Sequence, residues 1–244
     1  MTLREYIIFL VLIGICAIFS VAASRKVSSS FAKFSSVPTL SNMTGYDTAV
    51  RLLRRNGVTD ISIGRVGGSL TDHYHPTKKI VNLSDSVYGN SSVAAVAVAA
   101  HEIGHVMQKK KGYLPYKIRT VLVPIANIGS RLALPLVILG VILDLFVAGT
   151  ANSNVGFYAA MVGVALYGTS TLFMLVTLPV ELDASRRAKK MLLAEGVITE
   201  GELDGASRVL HAAALTYVAS LATSLVYFLR FLVWVLAIFG RRRD

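Results

Sequence analysis

The chain has 244 residues, of which 54% are hydrophobic and 16% charged, and a mean hydropathy of +0.59. That is too apolar for a soluble domain of this length and indicates a membrane protein. The formal net charge of +11 does not mark a nucleic-acid binder, because Lys and Arg flank apolar runs instead of gathering in one patch interleaved with aromatic side chains.

The first apolar run, residues 6–23, is long enough to cross a hydrocarbon core. Ala22 and Ala23 would suit a signal-peptide cleavage site, but Arg4 and Glu5 leave the leading segment without net positive charge, so an uncleaved anchor is expected. Cys16, the one cysteine, lies in this run and is expected to face lipid; alone it excludes an intrachain disulfide and a cysteine-rich zinc site. The polar stretch that follows, to about Asn90, predicts a small α+β unit. Its helix covers residues 47–56, with Ala49, Val50, Leu52 and Leu53 at helical spacing and an Asn56-Gly57 stop. Strand-like pieces cover residues 60–66 and 79–83, and between them Asp72, His73, Tyr74 and His75 fall in a loop or at a strand edge.

An alanine-rich helix then begins, capped by Ser91 or Ser92, runs to about Lys110 and stops at Gly112. Two further apolar runs, residues 132–149 and 155–178, are joined by a short polar turn and form a transmembrane hairpin. Pro179 suits the first turn of a new helix carrying Glu181 and Asp183. A last run, residues 209–239, is long for one crossing and is interrupted by Arg230; it is either one tilted helix or a span ending near Leu229 with an interfacial piece behind it. Asp144 is expected near the outer end of its span.

Basic residues follow the first span (Arg25, Lys26, Lys33), precede the second (Lys109, Lys110, Lys111, Lys117, Arg119, Arg131) and follow the third (Arg186, Arg187, Lys189, Lys190), while the hairpin turn has none. The positive-inside rule therefore places the alanine-rich helix on the cytoplasmic side of the cell membrane. The tail Arg241, Arg242, Arg243 points the other way, since four crossings would put it outside.

Within the alanine-rich helix stands His101-Glu102-Ile103-Gly104-His105. One helical turn separates the two imidazoles, so both leave the same face and can bind one Zn²⁺, with Glu102 beside the open coordination position as general base. Zinc acidifies water and the neighbouring carboxylate takes the proton, which is hydrolytic chemistry in outline. A catalytic zinc takes three protein ligands, and the third place is open to His73, His75, His211, Glu181 or Asp183. The hairpin returns the chain to the side it left, so Glu181 can sit beside the alanine-rich helix although it is far away in sequence.

The runs VAVAAHEIGHVMQ, LVPIANIGSRLALPL, TLPVELDASRRA and VLHAAALTYVASL, with GSLTDHYHP and VNLSDSVYG, resemble the YugP-type membrane zinc metallopeptidases from about Gly45 to Tyr227. The resemblance implies a mostly α membrane protein of about four transmembrane helices with a small α+β zincin-like catalytic domain. In it His101 and His105 bind one Zn²⁺ and Glu102 is the base. The segment Glu181-Leu182-Asp183-Ala184-Ser185 is also similar to the E-x-x-A-D element of the HtpX and CAAX prenyl protease group, which makes Glu181 the third ligand. Ser185 stands where that group has a carboxylate, so Asp183 or another side chain must orient a zinc-binding histidine.

Taken together these readings divide the chain into an anchor (1–23), a catalytic region (24–131), a hairpin (132–178), a helix supplying the third ligand (179–208), and a final transmembrane or interfacial helix with its basic tail (209–244). His73 and His75 are expected to contact the transition state from an edge strand that pairs with substrate backbone; Tyr113 and Tyr217 are weaker candidates, expected to be interfacial anchors. The expected activity is hydrolysis of peptide bonds in membrane or misfolded polypeptides. The alternatives are a zinc-binding scaffold without turnover, which intact Glu102 disfavours, and a metal transporter, which apolar runs nearly empty of His, Asp and Glu disfavour.

Overall fold

The structure is a computed structural model and describes residues 3–147 and 154–240. The hairpin turn at 151–153 and the basic tail at 241–243 lie outside the described residues. The elements in chain order are α1 (Leu3–Ser35), α2 (Gly45–Arg55), β1 (Ser62–Val66), β2 (His73–His75), β3 (Ile80–Ser84), α3 (Asp85–Tyr88), α4 (Val93–Lys110), α5 (Leu114–Val147), α6 (Val155–Ala194) and α7 (Glu200–Gly240). α1, α5, α6 and α7 are long and apolar enough to cross a membrane, so the protein is a mostly α membrane protein with a small α+β region. The chain divides into two compact units: Met1–Ser20, Ile118–Thr177 and Tyr217–Asp244 form one, Val21–Lys117 and Leu178–Thr216 the other.

In the first unit helices approach through small residues. A Cβ on Gly163 would lie 2.7 Å from the Ala133 carbonyl oxygen, and one on Gly156 would lie 2.5 Å from that of Gly140, so α5 and α6 touch backbone to backbone. Val137, Ala160, Val164, Val235 and Phe239 form the buried apolar cluster here. α7 is continuous through Arg230, the one-helix alternative of the two that the sequence left open. The Arg230 guanidinium lies 4.9 Å from the ring centre of Phe9 and 5.9 Å from that of Tyr6 on α1, which gives the cation aromatic partners without ending the helix. Cys16 is buried, not lipid-facing, and Ala23, seven residues along the same helical face, is buried too.

The second unit holds the larger core. α2 starts at a capping box: the Thr44 hydroxyl accepts from the Asp47 N–H and the Asp47 carboxylate accepts from that of Thr44, both at 3.1 Å. Its Ala49, Leu52 and Leu53 pack with Ile103 of α4 and Leu192 of α6. The sheet has the order β1-β3-β2, with β1 parallel and β2 antiparallel to the central, most buried strand β3. Asp72 ties the start of β2 to the end of β3 by accepting from the Ser84 N–H at 2.7 Å and the Ser84 hydroxyl at 2.9 Å. α4 is capped by Ser92, whose hydroxyl accepts from the Ala95 N–H at 3.2 Å, and it is buried along most of its length, which explains its alanine-rich composition.

α6 corrects one expectation. No new helix begins at Pro179; the helix runs unbroken from Val155 to Ala194 with Pro179 inside it, as α5 runs through Pro124 and Pro135. Membrane helices tolerate an internal proline because packing and local adjustment of the helix accommodate the one carbonyl it frees.

Candidate metal centre

His101 and His105 leave α4 one turn apart, with ring centres 4.8 Å apart and planes nearly perpendicular. Glu181 comes from α6 and is 2% exposed. Its Oε2 lies 3.2 Å from His101 Nε2 and 3.4 Å from His105 Nε2, and among the described residues these three side chains form the group able to hold a metal ion. A tetrahedral zinc bonded at about 2.0–2.1 Å has ligand atoms about 3.3 Å apart, so the separations and the donor set both fit one zinc.

The crossing that brings Glu181 here depends on Gly104. A Cβ at that position would stand 2.6 Å from the Ala184 carbonyl oxygen, so only glycine lets α6 lie this close to α4. The glycine inside H-E-x-x-H is thus a packing residue for the helix that carries Glu181.

Glu102, which follows His101 directly on α4, is buried. Burial raises its pKa from 4.5 to about 7; the charge of His101 opposes the shift, those of Glu181 and Asp72 add to it, and a hydrogen bond from the Tyr74 backbone N–H opposes it. That last contact connects the sheet to the chemistry: Tyr74 is the middle residue of β2, an edge strand, and its N–H turns away from β3 towards Glu102. The Tyr74 phenol is pushed up to about 12, first by burial and then by Tyr116 and Asp60, so it stays protonated.

His73 and His75 flank Tyr74 on β2. His73 Nδ1 lies 2.9 Å from the Thr71 carbonyl oxygen and Nε2 lies 3.0 Å from the Asn82 amide nitrogen, while His75 Nδ1 accepts from the Lys78 N–H at 3.2 Å. The strand therefore reaches Glu102 through its backbone, with both rings bonded locally. Tyr113 lies under the Arg187 guanidinium at 5.6 Å, and Tyr116, which sequence reasoning passed over, packs its ring 6.3 Å from that of His105.

Two further contacts went unread in the sequence. The Ser185 hydroxyl lies 3.2 Å from His101 Nδ1, occupying with a neutral group the position where a carboxylate was missed. Gln108 Oε1 lies 3.0 Å from His105 Nδ1, and Gln108 Nε2 donates to Asp183 Oδ2 at 3.0 Å. The signal was periodicity: Gln108 follows His101 by seven residues and His105 by three, and Ser185 follows Glu181 by four, so each shares a helix face with candidate ligands.

Residues 8–236 match a protein family described as "putative neutral zinc metallopeptidase". The chain is 42% identical over 211 residues to "putative membrane protease YugP" of Bacillus subtilis (strain 168), covering 86% of this chain and 89% of that protein. No solved structure matches the chain. Similarity that runs from the first membrane helix through the last, with the H-E-x-x-H helix and Glu181 both inside it, places the whole chain: it belongs to the neutral zinc metallopeptidase family.

Proposed function

We propose that the protein is an integral membrane zinc metalloendopeptidase that holds one Zn²⁺ per chain through His101, His105 and Glu181. The observation that carries this reading is the 3.2 and 3.4 Å spacing of the imidazole nitrogens about the Glu181 oxygen, which matches the edges of a tetrahedral zinc site. Zinc, when bound, supplies a Lewis acid that polarises the scissile carbonyl and acidifies water.

The remaining chemistry belongs to the chain. Glu102, with a pKa near 7, is poised both to take a proton from water at its carboxylate and to give it to the departing amine. The Tyr74 N–H holds that carboxylate in place, and the Tyr74 carbonyl on the same outer edge of β2 offers backbone to an extended substrate. His75 keeps Nδ1 on the Lys78 N–H, so its other nitrogen serves as the donor to a substrate carbonyl oxygen, with His73 held further back by Asn82. A cavity of about 400 Å³ lined by Val58, Ile61, Tyr74, Val106 and Lys109, among others, receives a substrate side chain beside β2. The substrates are polypeptides of membrane or misfolded proteins, cut on the cytoplasmic side, where the basic flanks of the spans are expected.

Purified detergent-solubilised chain, assayed for bound metal and for cleavage of casein, tests this directly. Wild type should carry about one zinc and cleave. Glu102→Gln should keep the metal and lose about 10²–10⁴-fold in rate, and Glu181→Ala should lose the metal. A wild-type chain that takes up no metal after reconstitution defeats the reading.

A further inference from the structure

Gln108 is fully buried although Lys109 and Lys110, the next residues, are exposed. A buried primary amide is tolerated only when its donors and its oxygen are all matched. Its Nε2 donates to the Val180 carbonyl at 2.7 Å and to Asp183 Oδ2 at 3.0 Å, and its Oε1 faces His105 Nδ1 at 3.0 Å. The amide cannot be turned over, because its oxygen would then meet a carbonyl and a carboxylate, neither of which has a hydrogen to give. With Oε1 fixed as an acceptor, His105 must carry its hydrogen on Nδ1.

That leaves the lone pair of neutral His105 on Nε2, facing the Glu181 carboxylate at 3.4 Å. Two acceptors pointed at one another favour a cation between them. Asp183 is held in turn by Arg187, whose Nε donates at 2.6 Å, so the donors converge on this carboxylate: Arg187 from one side, and from the other His105 Nδ1–H through the Gln108 amide. His101 has no such lock, because the Ser185 hydroxyl beside its Nδ1 either donates or accepts.

Resting on the metal site proposed above, we propose that Gln108 is a positioning residue for the zinc: it locks His105 in the metal-binding tautomer and relays the Asp183 carboxylate to it. The orienting carboxylate missing at Ser185 is thus supplied to the other histidine, through an amide. A metal-binding histidine deprived of such a partner loses about 10–100-fold in metal affinity.

The test compares wild type with Gln108→Met, an apolar side chain of similar length, and with Asp183→Asn. Zinc affinity is read by competition with a chromophoric chelator, and unfolding of the metal-free chain is measured separately. Gln108→Met should bind zinc about 10–100-fold more weakly, with Asp183→Asn in between. If Gln108 only fastens α4 to α6, the metal-free chain loses stability while zinc affinity stays unchanged, and the relay is overturned. ¹⁵N-histidine NMR of metal-free wild type, assigned against His105→Asn, needs no variant of Gln108 to fold: a hydrogen on His105 Nδ1 is expected, and an Nδ1 without one overturns the proposal. A wild-type chain that binds no zinc overturns the metal site itself, whereas wild type and Gln108→Met binding equally tightly overturn the relay alone.

Discussion

The two units of the chain place their polar side chains differently. In the membrane unit the close helix contacts are made by glycine and alanine, and the side-chain hydrogen bonds among the described residues include hydroxyls bonded to carbonyls or to one another, as between Thr171 and Ser224 at 2.8 Å. In the other unit, which carries the candidate metal centre, an apolar core of α2, β3, α4 and α6 residues surrounds buried Glu102, His105, Gln108, Glu181 and Asp183. Lipid gives no hydrophobic reward for bringing helices together, so the first unit depends on close packing. Water does give that reward, and the second unit draws on it to offset the desolvation of its polar cluster.

The largest separation between the units should come from their cores. Ile103 is fully buried, lies between His101 and His105 in sequence on the opposite side of α4 from them, and belongs to the larger apolar core. Ile103→Ala should cost about 2–5 kcal/mol in thermal or denaturant unfolding of that unit. Val137→Ala in the membrane unit removes less side chain from a cluster that lipid can also solvate, so its cost should be smaller. Equal losses at the two sites would dissolve the contrast.

A second effect is confined to the unit that carries the candidate metal centre and depends on pH. Glu102 has a folded pKa of about 7 against 4.5 for the free group, so between those values the unfolded chain releases a proton that the folded chain retains. Rising pH therefore favours unfolding, and the metal-free protein should lose up to about 3 kcal/mol between pH 4.5 and 7, then level off. Chelated wild type and Glu102→Gln, melted across that range, should diverge, with only wild type declining on this account. Parallel curves would show that the buried carboxylate does not carry the shift.

Next in size is Gly104→Ala. The added methyl must displace the backbone of α6 at Ala184, and overpacking of this kind costs about 1–3 kcal/mol. Because α6 carries Glu181, zinc affinity should fall with stability. Gly163→Ala imposes a similar clash with Ala133 in the membrane unit and should leave zinc affinity intact.

How much of this could be read in the sequence follows from which features are local. The H-E-x-x-H face, the Ser92 cap, the α2 helix and the apolar spans are written in neighbouring residues, and a period of 3.6 or a run of apolar side chains is enough to find them. Pro179 misled because proline as a start signal holds for helices in water, whereas α6 passes through it. Strand β2 was ambiguous because a three-residue edge strand has too little alternation to detect, and its position depends on Asp72 gripping Ser84. Gln108 was missed because a glutamine ahead of three lysines reads as surface; its burial is decided by Val180 and Asp183, more than seventy residues away.

The smallest expected effect returns to the membrane unit. The Thr171 hydroxyl pairs with that of Ser224 at 2.8 Å, joining α6 to α7. Such a bond between membrane helices should be worth more than in water, since hydrocarbon offers no substitute, but a helix separated in the bilayer finds other partners for its hydroxyls, and the measured average is about 0.6 kcal/mol. Thr171→Val, which keeps the shape and removes the hydroxyl, should therefore cost about 0.6 kcal/mol, and in a Ser224→Ala background, where that bond is already gone, it should cost much less. A cost of several kcal/mol with strong coupling between the two would place Thr171 and Ser224 among the supports of the membrane unit, and the division between a unit held by shape and a unit that buries polar groups would have to be redrawn.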